Sequence, residues 1–154
     1  MSVLQLPPNE PPNASESLAE MRIASIKAGL IGAIAVALAH LAISAIATVL
    51  PIPFVIPNAF LSWLINLAVA LSCGFFFGIT YRYIVRQDKN LHLGSGAVGA
   101  FAFVRSLAQI EAYWNDTFTP LLWLLVTGES FLWFAMARYA LDWSINREII
   151  EPLS

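Results

Sequence analysis

Three polar side chains lie within apolar stretches of this 154-residue chain and are of types that could do chemistry together. Arg105 interrupts the apolar run GSGAVGAFAFVRSLAQIEAYW (94–114), Gln109 follows it by one helical turn, and Glu129 lies in the next apolar run. An arginine at the centre of a bilayer costs about 2.5–3.5 kcal/mol on insertion scales, so it needs a partner there. We therefore expect Arg105 and Glu129 to form an ion pair, with Gln109 completing a polar cluster.

This cluster of Arg105, Gln109 and Glu129 has a structural and a functional interpretation. In the structural one, the ion pair fixes the register and packing of two neighbouring helices. In the functional one, the cluster is a polar site for a proton, an anionic ligand, a cofactor or a partner subunit, since intramembrane ionisable residues often mark such sites. Because no second carboxylate accompanies Glu129, the cluster is weak evidence for a proton pathway.

His40, in the segment ALAHLAISAIA (37–47), is the other titratable residue at depth. A neutral imidazole can ligate the metal of a haem or a chlorophyll. However, His92 lies in a polar turn and no CxxCH motif is present, so a bis-histidine haem would need two chains. We expect a hydrogen-bonded packing histidine, with a metal or pigment ligand as the alternative. Cys73 is the single cysteine, so we expect no other metal site.

Composition places these residues in a membrane protein. The chain is 58% hydrophobic and 12% charged, with a mean hydropathy of +0.71, whereas soluble domains are about 45–50% apolar and about 25% charged. A helix needs about 20 residues to cross the hydrocarbon core, and four segments qualify: 29–50, 59–81, 93–112 and 119–140. The net charge of −2 gives no reason to expect a nucleic-acid partner.

Depth along these spans supports the proposed ion pair. Arg105 lies about 18 Å from the start of the third span, and Glu129 lies about 15 Å from the start of the fourth, at 1.5 Å per residue. The short connection between the two spans makes them antiparallel neighbours. Since the hydrocarbon core is about 30 Å thick, the two charges are at nearly the same depth.

The spans define one domain and its orientation. Residues 15–150 are expected to form a single four-helix transmembrane domain after a disordered, Pro-rich leader (1–14), with the capping-box pair Ser17 and Glu20 at the first helix start. With four spans, every basic residue except Arg105 falls on one side, which predicts cytoplasmic termini. These basic residues are Arg22, Lys27, Arg82, Arg86, Lys89, Arg138 and Arg147.

Small residues predict close contacts between helices. Gly74 and Gly78 have GxxxG spacing in the segment GFFFG, Gly29 begins a small-residue stripe in the first span, and Gly96 and Gly99 lie in the third. Such residues let helix backbones approach in a bilayer. We expect these faces to pack the bundle internally or against a second protein, and the phenylalanines of GFFFG to face lipid or a partner.

The stretch YRYIVRQDKNLHLGSGAVGAFAFVRSLAQIE (81–111), about a fifth of the chain, resembles small multi-span membrane proteins of cyanobacteria and chloroplasts. The resemblance implies a location, a cyanobacterial thylakoid or plasma membrane, and no mechanism. The acidic leader lacks transit-peptide character, which favours a bacterial chain. The matching residues are Tyr81, Arg82, Arg86, Asp88, Asn90, Gly96, Phe101 and Arg105.

The sequence predicts a non-enzymatic protein, because it contains no nucleophile–base set and no cluster of metal ligands. We expect an accessory or assembly factor that associates with larger complexes of a photosynthetic membrane. Its partners would be membrane lipids and either other membrane subunits or further copies of itself. Two alternatives stay open: a small oligomeric transporter or channel subunit that uses Arg105 and Glu129, and a pigment- or haem-binding protein that uses His40.

Overall fold

The computed structural model describes residues 14–49, 60–85, 91–112 and 119–150. These residues form four helices, α1 (Ala14–Val49), α2 (Phe60–Ile84), α3 (Leu91–Ala112) and α4 (Pro120–Asn146). Each helix contains a stretch long and apolar enough to cross a membrane, which confirms the predicted all-α class with four candidate spans. The expected leader (1–14) and the segments that connect the four predicted spans lie largely outside the described residues.

Helix α1 extends well beyond the span predicted for it. The span is predicted from Gly29, but the helix itself begins at Ala14, three residues before Ser17. The predicted helix start near Ser17 is therefore within one turn of the observed one, whereas the predicted capping role is wrong, because Ser17 and Glu20 lie inside the helix. The segment ASESLAE (14–20) contains alanine, leucine and glutamate, which favour the helix and explain the extension.

Helix α4 begins with a capped first turn. Thr119 has extended backbone angles (φ −90°, ψ 156°), and its Oγ1 accepts a hydrogen bond from the Leu122 N–H at 3.4 Å. Pro120 occupies the first turn, where its missing N–H costs nothing because no carbonyl precedes it in the helix. The cap and the proline together explain why α4 starts at this point.

Helix α4 ends in a Schellman motif. The Glu148 N–H donates to the Ile145 carbonyl and the Ile149 N–H donates to the Ser144 carbonyl, each at 3.0 Å. Glu148 adopts a left-handed conformation (φ 57°), a position usually taken by glycine. This reversal returns Ile150 to the bundle, where it is 1% exposed.

The helices form a bundle in which α1 packs most extensively on α2, and α4 packs on both α1 and α3. Helix α2 makes smaller contacts with α3 and α4, and within the described residues the backbones of α1 and α3 do not come within packing distance of each other. Aromatic side chains of α2, α3 and α4 fill the centre, where small residues of α1 and α3 leave room for them. The fully buried large residues include Phe77, Tyr81, Trp133 and Phe134.

Helices α1 and α2 touch through their backbones. A Cβ atom on Gly32 would collide with the Gly74 carbonyl oxygen, and one on Gly78 would collide with the Ala28 carbonyl oxygen. The GxxxG pair therefore packs inside the bundle, on α1. Gly32, which the sequence analysis did not single out, is the α1 residue at the centre of this contact.

The phenylalanines of GFFFG do not share one environment, contrary to the expectation that they face lipid or a partner. Phe77 is fully buried in the core, and the Phe75 ring lies where a Cβ atom on Gly29 would be. Phe76 alone of the three points outward, with 62% exposure. A 100° rotation per residue places three consecutive side chains on three different faces, so a run of apolar residues cannot face one medium.

For Gly96 and Gly99 of α3, the expected packing inside the bundle is wrong. A Cβ atom on Gly96 or on Gly99 would meet nothing within 4 Å. Gly94 makes the close contact instead, because its Cβ would come within 2.9 Å of the Tyr81 hydroxyl and 3.2 Å of the Arg138 Nε. The face of α3 that meets its neighbours is therefore rotated away from Gly96 and Gly99.

Candidate functional site

The structure brings Arg105 of α3 together with the two partners expected for it. Its Nη2 lies 3.5 Å from the Glu129 Oε1 of α4, and its Nη1 donates to the Gln109 Oε1 at 2.8 Å. The charged side chains are only 9% and 12% exposed. Gln109 lies one turn along α3 from Arg105, so the amide oxygen reaches the same guanidinium without any distortion of the helix.

Two further α4 residues complete the surroundings of the guanidinium. Arg105 Nη1 donates to the Ser130 Oγ at 2.7 Å, and Arg105 Cζ lies 3.4 Å from the centroid of the Trp133 ring. The Ser130 hydroxyl donates in turn to the Val126 carbonyl at 2.9 Å. The charge is therefore held by an ion pair, hydrogen bonds and a cation–π contact, each of which strengthens in surroundings without water.

Ser130 and Trp133 were not foreseen from the sequence. Both lie beside Glu129 on α4, Ser130 as the next residue and Trp133 one turn further along. For Trp133 the spacing was an available signal, since a residue one turn from an intramembrane charge lies on the same helix face. Ser130, about 100° around the helix from Glu129, carried no such signal. We define the Arg105 network as Arg105, Gln109, Glu129, Ser130 and Trp133.

His40 of α1 lies against this network without bonding to it. Its ring meets Trp133 edge to face, with centroids 5.1 Å apart and ring planes at 75°. Among the described residues, neither imidazole nitrogen has a hydrogen-bond partner, and the same is true of the Trp133 Nε1. The expectation of a hydrogen-bonded histidine is therefore wrong, and packing against an aromatic ring takes the place of the hydrogen bond.

The position of His40 also bears on a pigment or haem. The residue is 9% exposed, and both ring nitrogens are covered by surrounding protein atoms. A macrocycle must approach a ligating nitrogen over a wide, open face, and His40 offers none. This geometry counts against His40 as the axial ligand of a chlorophyll or a haem.

A second polar cluster lies near one end of the bundle, between α2, α3 and α4. The Tyr81 hydroxyl donates to the Asp142 Oδ1 at 2.6 Å, and the Asp142 Oδ2 lies 3.5 Å from the Arg138 Nε. Arg138 Nη1 donates to the Ser95 Oγ at 2.8 Å. These contacts link three helices through four side chains.

Arg82 joins α2 to α1 at the same end. Its Nη1 donates to the Ser25 Oγ at 2.8 Å and to the Met21 carbonyl at 3.2 Å, and the residue is 3% exposed. Arg82 is one of the basic residues that predict the orientation of the spans. The structure shows that it also bonds α2 to α1. Tyr81, Arg82 and Arg105, three residues of the stretch 81–111, all make contacts between helices.

Within the described ranges, no group of three or more histidine, cysteine, aspartate or glutamate residues could hold a metal ion. Comparison with protein-family models, with curated protein sequences and with solved structures found no match in any of the three. The function is therefore argued from the residues themselves. The Arg105 network can hold two helices in register, or it can present a polar site in the middle of the bundle.

Proposed function

We propose that the protein is a non-enzymatic accessory or assembly subunit that associates with larger integral complexes of a photosynthetic membrane. The observation that carries the proposal is the enclosure of Arg105. Its two terminal nitrogens contact Glu129, Gln109 and Ser130 of its own chain and its plane lies over Trp133, at 9% side-chain exposure. A charge enclosed in this way stabilises the bundle and does not line a pathway for a solute.

The surface left for a partner is the lipid-facing wall of the bundle. Four candidate spans account for most of the described residues. Large apolar side chains point outward along all four helices, with aromatic examples on α2 and α3 in Phe60, Phe76 and Phe103. The partner that suits such a wall is a membrane-spanning helix of another subunit, because van der Waals packing drives helix association in lipid.

The location and orientation follow from the sequence and belong to the same proposal. With four spans, the basic residues outside the Arg105 network lie on one side, which supports cytoplasmic termini. The resemblance of residues 81–111 to small membrane proteins of cyanobacteria and chloroplasts supports a cyanobacterial thylakoid or plasma membrane.

The first test is affinity purification of the tagged chain from its native membrane in mild detergent, with mass spectrometry of the eluate and native electrophoresis. An unrelated tagged four-span protein supplies the background. We expect subunits of a larger complex to be enriched and to comigrate with the tagged chain. The absorbance spectrum of the same eluate tests the pigment alternative, and we expect no bound pigment that is lost in His40→Ala.

The rival is an oligomeric transporter, and one observation favours it. The polar nitrogens of His40 and Trp133 lie buried beside a charged pair in the middle of the bundle, where a solute or a proton would need partners. Glu129→Gln separates the two functions, since it removes the acid at nearly constant shape. For an accessory subunit it lowers bundle stability and the yield of the complex, while proteoliposome flux stays at background. A discrete homo-oligomer whose pH-dependent flux disappears in Glu129→Gln would overturn the proposal.

A further inference from the structure

An apolar groove of about 600 Å³ runs between α1 and α4 on the outside of the bundle. Its walls include Ile34 and Leu38 of α1 and Leu132 and Met136 of α4, all of them about half exposed. Trp143 lies toward one end. The volume falls within the range of small-molecule sites, about 300–1,000 Å³.

The shape of the groove indicates what fits it. Along α4 it extends from Leu132 to Ser144, about 18 Å at 1.5 Å per residue. Over that length the lining is apolar apart from Ser144 and the polar ends of Tyr139 and Trp143, and the groove is open on its outer side. Its surface therefore suits a hydrocarbon chain of the surrounding lipid.

The contact between His40 and Trp133 fixes which residues lie at the end of the groove. Helices α1 and α4 run antiparallel, so thirteen residues back from His40 and thirteen forward from Trp133 reach the same level. Those positions are Lys27 and Asn146, about 20 Å along the axes from the contact. Lys27 and Arg147 are therefore at about the same level along the two helices.

Lys27 and Arg147 each lie next to a residue that lines the groove. Lys27 is one turn before Ile31, a groove residue, and is exposed. The Arg147 guanidinium carbon lies 5.5 Å from the ring centroid of Trp143, another groove residue. Glu148 is exposed next to Arg147. Its carboxylate is the one acidic group among the residues named here, and it repels an anion bound at that end of the groove.

We propose that this groove binds an acyl chain of an anionic glycerolipid of the bilayer, with the lipid phosphate between Lys27 and Arg147. The apolar walls accept the chain, and the two cations accept the headgroup. Each basic residue near an anionic lipid surface strengthens such binding. The inference rests on the four apolar helices and not on the accessory role proposed above.

The test uses native mass spectrometry of the full chain in detergent, with phosphatidylglycerol and phosphatidylcholine of identical acyl chains as competing probes. We expect a preference for phosphatidylglycerol that falls about fivefold in Lys27→Ala and about fivefold again in Lys27→Ala/Arg147→Ala. Arg22→Ala is the matched control, because Arg22 is exposed at the same end of α1 but about 140° around the helix from Lys27. Equal loss in Arg22→Ala and Lys27→Ala would overturn the headgroup assignment.

A second pair of variants tests the acyl chain's position. Ile34→Trp adds bulk to the groove wall, whereas Ile46→Trp adds the same bulk at an equally exposed α1 residue outside the groove. We expect Ile34→Trp to reduce retained phosphatidylglycerol at least fivefold and Ile46→Trp to leave it unchanged. Both variants change outward-facing residues, and unchanged thermal unfolding verifies that the bundle is intact. Full retention in an intact Ile34→Trp protein would show that the lipid does not occupy the groove.

Discussion

Helices α1 and α2 meet backbone to backbone, whereas α3 and α4 meet through long polar side chains. In the first interface Gly32, Gly74 and Gly78 bring the backbones of the two helices so close that a single methyl group has no room. In the second, the Arg105 guanidinium reaches Glu129 and lies over the Trp133 ring. The two interfaces belong to one bundle, yet backbone contacts hold the centre of the first and polar side chains hold the centre of the second.

The difference shows two ways of holding helices together where apolar burial offers little. Lipid tails are as apolar as leucine, so exchanging lipid for a neighbouring helix gains little from the hydrophobic effect. Close van der Waals packing and polar bonds remain as the sources of stability. The first interface should therefore be sensitive to added volume and tolerant of polarity changes nearby, and the second should be sensitive to lost polar groups.

Gly78→Leu should have the largest effect. Its side chain would collide with the α1 backbone at Ala28 and Gly29, and backbone cannot rotate away as a side chain can. Overpacking typically costs about 1–3 kcal/mol, and we expect more than about 3 kcal/mol here. Unfolding in mixed SDS and mild-detergent micelles, followed by tryptophan fluorescence, measures the change. Gly96→Leu is the control, because a Cβ at Gly96 meets nothing within 4 Å; equal losses at both positions would contradict the backbone contact.

Arg105→Leu should have the next largest effect, because it leaves the Glu129 carboxylate buried without its cation. Breaking one partner of a buried pair costs about 3 kcal/mol or somewhat more. The double variant Arg105→Leu/Glu129→Leu should recover at least half of that loss, since no charge then lies in the bundle. The same unfolding assay gives the coupling energy by a double-mutant cycle. A double variant as unstable as the sum of the two single variants would show that the residues do not interact.

The helices and the partners of Arg105 could be predicted from the sequence for related reasons. A span is a property of composition over about 20 residues, so hydropathy finds it without knowing any contact. A charge at depth is costly enough that few partners are available, and Glu129 and Gln109 were the polar residues within reach of Arg105. Both inferences need depth along the helix and no knowledge of its rotation.

Rotation about the helix axis is what the sequence did not provide. These helices are apolar on every side, so no polar face reveals which residues point inward. For this reason the sequence predicts that Gly96 and Gly99 pack α3 in the bundle, although Gly94 makes the contact. It also predicts that Phe77 faces outward, although Phe77 is buried in the core. The edge-to-face contact of His40 with Trp133 depends on the rotation of two helices at once and left no signal in the sequence.

Ser130→Ala tests how much of the α3–α4 interface depends on a neutral partner. The variant removes the hydroxyl that accepts a 2.7 Å hydrogen bond from Arg105 and leaves the ion pair with Glu129 in place. We expect a loss of about 1–2 kcal/mol, because hydrogen bonds to charged groups are stronger than neutral ones. Ser72→Ala is the matched control, since the exposed Ser72 hydroxyl donates to the Ala68 carbonyl of its own helix and, in the part of the chain that the structure describes, to no other helix. A loss in Ser130→Ala no larger than in Ser72→Ala would mean that the serine adds nothing to the α3–α4 interface.

Glu148→Gly should have the smallest effect, and its sign is opposite to the others. Glu148 lies beyond both interfaces and holds a left-handed conformation (φ 57°) that glycine adopts without a steric cost. We expect a gain of about 0.5–1 kcal/mol, reduced by the greater freedom of glycine in the unfolded chain. Asn146→Gly, at the last residue of α4, should instead lose about 0.3 kcal/mol because glycine is a poorer helix former than asparagine. If the two glycine variants shifted stability in the same direction, the Schellman turn would not be the origin of the gain. Both glycine variants leave the α1–α2 and α3–α4 interfaces unchanged. Their changes in the free energy of unfolding should therefore be several-fold smaller than those of Gly78→Leu or Arg105→Leu.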